Sequence, residues 1–124
     1  MRTENITYFT ETEEEFADLL IKIGIRPNIA KVLVYLANIP EAPTRAIERG
    51  TGLRQAEVSL AMQYLDGLHW ISCREQKTLN KGRPMKVYEL AKPIPEIMDT
   101  IMNEKKKMAC DQLARVKKIR SYIN

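Results

Sequence analysis

The stretch that most constrains this chain is Thr51–Leu68, TGLRQAEVSLAMQYLDGL. Thr51-Gly52-Leu53 reads as a tight turn in which Gly52 takes a positive φ. From about Arg54 to Leu68 the pattern predicts a helix, with Val58, Ala61, Met62, Leu65 and Leu68 on one face at 100° per residue. Ala56, Ser59, Leu60 and Gln63 fall on the opposite face. An ordinary solvated face carries Lys and Glu, and this one does not. A helix lying in a DNA major groove needs small residues for close approach, amides for base edges and an occasional methyl for thymine. Periodicity alone does not separate that reading from an amphipathic helix with a plain outer face, so the neighbouring segments must decide.

Upstream, Met1–Thr10 shows no clear pattern and reads as an edge segment or frayed end. Thr12 followed by Glu13-Glu14-Glu15 forms a T-x-x-E capping box, with an acidic first turn that suits the helix dipole. Phe16, Leu19, Leu20 and Ile23 make its apolar stripe, and Gly24 ends it. Nothing pairs with these carboxylates as acid and base, so the cluster reads as capping and solvation. Pro27 opens a second helix whose buried face is Ile29, Val32, Leu33, Leu36 and Ala37, with Tyr35 near the edge. Asn38–Pro43 reads as a loop punctuated by two prolines. A short third helix, roughly Thr44–Arg49, closes at Gly50. Two helices joined by a brief Gly-containing turn form a helix-turn-helix.

After Leu68 the period shortens to two. Trp70–Gln76 and Met85–Leu90 alternate as strands, and Lys77–Pro84 between them carries the Asn, Gly and Pro of a hairpin tip. From Ile71 to Lys92 there are six basic and two acidic side chains. Such a basic hairpin behind a helix-turn-helix reads as a wing. Arg83 is placed to enter a minor groove, with Lys81 and Lys77 on phosphates and Lys86 a further DNA contact.

From Pro93 the chain reads as one long helix, with Pro93 or Pro95 in its first turn. An apolar stripe runs through Ile94, Ile97, Met98, Ile101 and Met102. It breaks at Asn103–Lys107 and resumes at Met108, Ala109, Leu113, Val116, Ile119 and Ile123. About 30 residues at 1.5 Å each make a helix of roughly 45 Å, longer than a small body can cover. An apolar stripe left wet calls for a partner, and the simplest is a second copy, through Ile97, Ile101, Met108, Leu113, Val116 and Ile123.

Charge supports the same direction. Residues 1–30 carry net −3 and residues 31–124 net +7, a basic body suited to a polyanion. The apolar runs are too short to span a bilayer and no secretory leader is evident, so a cytoplasmic location is expected. Cys73 and Cys110 make no disulfide framework. One histidine, His69, without a ligand spacing leaves little for a metal, and no cofactor is expected. There is no Gly-rich phosphate loop or triad-like spacing, so an enzyme is not expected. Cys73 beside Arg74 and near Lys77 would make a reactive thiol if exposed, and alternation leaves its face open.

In this order the elements resemble the winged-helix transcriptional regulators of prokaryotes. The segments Ile23-Gly24-Ile25, Ala30–Leu33, Leu36, Thr51-Gly52-Leu53, Val58 and Leu65 resemble the TrmB-like archaeal branch, related to the MarR and ArsR families. Most specific is Lys81-Gly82-Arg83-Pro84-Met85-Lys86-Val87-Tyr88-Glu89-Leu90, which is similar to that branch's wing almost throughout. The likeness covers roughly residues 12–92. Departures are Leu60, where related helices often carry a base; the residues near His69-Trp70, where a glycine is usual; and the missing sugar-binding domain and sensor metal clusters. The resemblance implies a mainly α fold with a small β-hairpin, a winged helix-turn-helix over 1–92 and a dimerisation helix over 93–124. It implies a homodimer that binds double-stranded DNA, with Gln55, Ser59, Leu60 and Gln63 supplying the sequence readout, Thr44 and Arg45 on the backbone and Arg54 a further DNA contact. No effector is indicated. The alternative is a winged-helix protein–protein adaptor without DNA readout.

Arg83→Ala is expected to leave folding intact and weaken duplex binding. The slope of log affinity against log salt should shrink by about one. An unchanged affinity and slope would favour the adaptor.

Overall fold

A computed structural model describes residues 10–76 and 85–123 of the 124-residue chain. The chain divides into two compact units, residues 1–92 and 93–124. The first contains helices α1 (Glu11–Lys22), α2 (Pro27–Asn38), α3 (Thr44–Thr51) and α4 (Gln55–Gly67), with strands β1 (Ala42–Pro43), β2 (Ile71–Gln76) and β3 (Met85–Leu90). The second contains α5 (Ile94–Ile123). The fold is mainly helical, a helix-turn-helix followed by a small antiparallel sheet and a long C-terminal helix.

The core of the first unit is built around α2. Its Ala30, Val32, Leu33 and Val34 are fully buried and Ile29, Tyr35 and Leu36 nearly so. Tyr35, expected near an edge, is 5% exposed, and burial followed by the nearby Glu13 raises its phenol pKa. Helix α2 packs against α1, α3, α4 and β3, so it buries nearly all its circumference rather than one stripe.

Helix α1 begins two residues earlier than expected. Thr10, not Thr12, is the N-cap: its hydroxyl accepts from the Glu13 N–H at 3.3 Å, and its own N–H donates to Glu13 Oε1 at 2.8 Å. Glu13 also accepts a hydrogen bond from Asn38 at the end of α2, an anchor that Glu15 lacks. Ala17 and Leu20 face the core, while Leu19 and Ile23 are exposed.

The segment read as a proline loop ends in a short strand. Ala42 pairs with Tyr88 and Pro43 with Val87, giving the sheet order β1-β3-β2. Pro is tolerated there because β1 is an edge strand. In the other pair, Ile71 lies opposite Leu90 and Gln76 opposite Met85.

Helix α3 runs past Gly50, which is buried within it, to Thr51. The Thr51 hydroxyl donates to the Ile47 carbonyl at 2.7 Å and accepts from the Leu53 N–H at 3.3 Å, bridging helix and turn. Gly52 closes α3 at φ 77°. Helix α4 ends differently. His69 takes φ 63°, its N–H bonds the Asp66 carbonyl at 2.9 Å, and the Trp70 N–H bonds the Leu65 carbonyl at 3.1 Å. This is a Schellman closure with His69 where glycine is usual, and buried Leu65 and Trp70 supply its apolar pair.

Glycine-to-alanine exchange should therefore have opposite signs at the two ends of this segment. Gly67 is helical with open space where a Cβ would stand, so Gly67→Ala should stabilise by about 0.5–1 kcal/mol. Gly52 also has open space but a left-handed backbone, so Gly52→Ala should cost about 1–2 kcal/mol. Urea midpoints check both, and shifts of the same sign would contradict the assigned conformations.

Candidate nucleic-acid interface

Helix α4 is oriented by its buried face. Val58, Ala61, Met62 and Leu65 lie in the core, as the periodicity predicts, and Leu68 is half-buried. Asn28 at the start of α2 donates to the Glu57 carbonyl at 3.3 Å, and the Arg54 N–H donates to Glu57 Oε1 at 2.9 Å. The start of α4 is thus held both by its own first turn and by the core helix. Everything on its other side follows: Gln55, Ala56, Ser59, Leu60 and Gln63 are exposed, Leu60 at 62%. Arg54 is exposed at the N-cap.

Two clefts run along this face. One, of about 640 Å³, is lined by Thr44, Arg45 and Arg49 of α3, Gln55 at the start of α4, and Met85 and Lys86 of β3. The other, of about 330 Å³, lies between α4 and the sheet and is lined by Ser59, Met62, Gln63, Asp66, Cys73, Lys86 and Tyr88. Lys86 borders both. The fold therefore gathers Thr44, Arg45, Gln55 and Lys86 on one side, and Ser59, Gln63 and Lys86 on the other. Leu60 stands out between them without lining either. Lys77, Lys81 and Arg83, placed at the hairpin tip by the sequence, lie outside the described residues.

Sequence reasoning missed Tyr64 and Arg49. Tyr64 is 51% exposed, one turn beyond Leu60 on the same helix. A helical wheel extended by one turn finds it, but its aromatic ring reads as core. Arg49 was assigned only to a helix end, whereas it lines the larger cleft.

The local chemistry is mild. Cys73 and Cys110 are free and exposed, so Cys73 faces away from the core. Cys73 lies opposite Tyr88 in the sheet. Burial first, then the charge of Cys73, a hydrogen bond with it, and the charge of Asp66 raise the Tyr88 pKa above its ordinary 10.0. The ion pair between Arg74 and Glu41 is half-exposed on both sides, which limits it to a fraction of a kcal/mol. Among the described residues no group of three or more His, Cys, Asp and Glu could hold a metal ion. No helix among them is long and apolar enough to cross a membrane.

In the second unit, of the residues expected to meet a second copy, Ile97 and Ile101 are buried. Met108, Leu113, Val116 and Ile123 of that set are exposed, together with Ile119 and Tyr122.

No protein-family model matches the chain, and no curated protein matches its sequence. Solved structures do match its fold. A possible transcriptional regulator from Methanosarcina mazei Go1 aligns with TM-score 0.59 and 16% identity over 81% of this chain and 82% of its own. A transcriptional regulator homologue from Pyrococcus horikoshii OT3 aligns with TM-score 0.51 and 16% identity, over 82% and 97%. Bordetella bronchiseptica BpsR, whose DNA binding is described as regulated by 6-hydroxynicotinic acid, aligns with TM-score 0.50 and 12% identity, over 90% and 92%. At these identities the likeness establishes the winged-helix fold.

The Tyr88 environment gives a pH test. The folded state holds the phenol proton more tightly than the unfolded chain, so this contribution is complete below about pH 10 and is lost as pH rises through the folded-state value. Tyr88→Phe should lose less stability than the native chain as pH rises above about 10 in urea unfolding. Identical losses would place Tyr88 in open solvent.

Proposed function

We propose that this chain is a DNA-binding transcriptional regulator rather than an enzyme. In this reading it acts as a homodimer, placing α4 in the major groove and the β2–β3 hairpin toward the minor groove. The observation that carries the reading is the outer face of α4. It presents amides, a hydroxyl and small side chains around the apolar Leu60 and Tyr64, with Arg45, Arg49, Arg54 and Lys86, and Glu48 among them, at its margins. Neutral groups at the centre suit base edges, and cations at the rim suit phosphates. Neighbours of the same fold described as a possible transcriptional regulator and a transcriptional regulator homologue support it. The Lys81–Leu90 motif supports the TrmB-like archaeal branch within that class.

The homodimer is supported by α5. Met102, Ala109, Val116 and Ile123 recur every seven residues, and Ile119 lies three beyond Val116. That is a seam suited to a second helix of its kind. With Ile97 and Ile101 buried, the seam is centred on Val116 and Ile119. Two such protomers would set two copies of α4 into successive major grooves, about one turn apart.

The adaptor reading keeps one observation in its favour: Leu60 and Tyr64, both more than half exposed, form an apolar pair on α4. A protein partner could cover it. Recovery of bound DNA genome-wide, followed by mobility shift on the enriched duplex, separates the two.

Gln55→Ala or Gln63→Ala should cost about 1–3 kcal/mol on the enriched site and little on random duplex. Equal losses on both would show that neither amide reads bases. For assembly, Val116→Asp with Ile119→Asp should yield a monomer by light scattering, with unchanged helicity because both positions are exposed. A persistent dimer would move the interface elsewhere.

A further inference from the structure

Resting on the DNA-binding reading, we infer that α4 is a reader of A·T base pairs, with Leu60 against a thymine methyl group. From Gln55 to His69 the chain contains no lysine or arginine. In the major groove guanine offers two acceptors, O6 and N7, and is read chiefly by a paired cationic donor. Adenine offers an acceptor and a donor together, which an amide side chain matches at both atoms. Thymine adds the C5-methyl, whose match is an apolar side chain. Helix α4 exposes Gln55 and Gln63 for the second pattern and Leu60 for the third.

Leu60 is the specific element. It is 62% exposed and lines neither cleft, so it contributes little to the core. Neighbouring Ala56 and Ser59 are small and exposed, which lets the backbone come close enough for a leucine to touch a base edge. The cations nearest this surface are Arg54 at the N-cap, Arg45 and Arg49 of α3 beside Gln55, and Lys86 of β3 beside Gln55 and Gln63; none lies on α4 itself, and they are assigned to phosphates.

The test selects sites from randomised duplexes with the full chain and then replaces each thymine of the selected site by uracil. Uracil lacks only the C5-methyl, so the minor groove and the backbone are unchanged. Binding is read by fluorescence anisotropy at fixed salt. The selected half-sites should be rich in A·T. At one thymine per half-site, uracil should weaken binding about fourfold, the worth of one buried methyl group. Leu60→Ala, which should fold normally because the side chain is exposed, should bind the thymine and uracil duplexes equally. Half-sites dominated by G·C, duplex binding without sequence preference, or uracil tolerated at every thymine would each overturn the inference. Absence of any duplex binding would overturn the DNA-binding reading itself, and this inference with it.

Discussion

Burial of α2 is the constraint on which the rest of the first unit depends. Val32, Leu33 and Val34 are fully buried on successive positions, which one amphipathic stripe cannot achieve. They require neighbours on several sides, and α1, α3, α4 and β3 supply them. Each such side chain contributes about 1.5–3 kcal/mol relative to exposure. The angle at which α4 meets α2 is thus fixed by packing, and the Asn28 to Glu57 hydrogen bond fixes where along the helix they meet. Once Val58, Ala61, Met62 and Leu65 are turned inward, the helix has no freedom over what it shows outward. A core contact on one helix therefore determines the chemistry of the opposite surface of another.

That surface was legible in the sequence because α4 is amphipathic and its two faces differ in kind. Helix α2 was less so. Its sequence reads as one stripe of Ile29, Val32, Leu33, Leu36 and Ala37 with Tyr35 near the edge, yet a near-continuous apolar run is the pattern of a helix buried all round, Ala30, Val34 and Tyr35 included. The start of α1 was ambiguous for a different reason. Thr10-x-x-Glu13 and Thr12-x-x-Glu15 are overlapping capping boxes, and only the contact between Glu13 and Asn38, distant in sequence, distinguishes them. Strand β1 is two residues long and has no period to detect; it exists because β3 offers it a ladder. The end of α3 was placed at the first glycine when the second closes the helix, because Gly50 is needed for burial and Gly52 for its backbone.

The two units carry different kinds of surface. The first presents a face whose centre is neutral and whose margins carry Arg45, Arg49 and Lys86 alongside Glu48 and Asp66, with Lys86 bordering the clefts on both sides. The second presents an exposed apolar series from Met108 to Ile123 along α5. Neither surface is needed to hold its own unit together, since the core residues lie elsewhere. Surfaces of that kind are free to be set by what they bind.

The central claim, that the outer face of α4 with the adjoining part of β3 is a nucleic-acid interface, is tested most directly by titrating the isotope-labelled chain with duplex DNA and following backbone amide resonances. The account predicts shifts concentrated at Arg45, Gln55, Ser59, Leu60, Gln63 and Lys86, with core positions such as Leu33 unmoved. Shifts confined to α5, or no shifts at duplex concentrations that saturate non-specific binding, would contradict it.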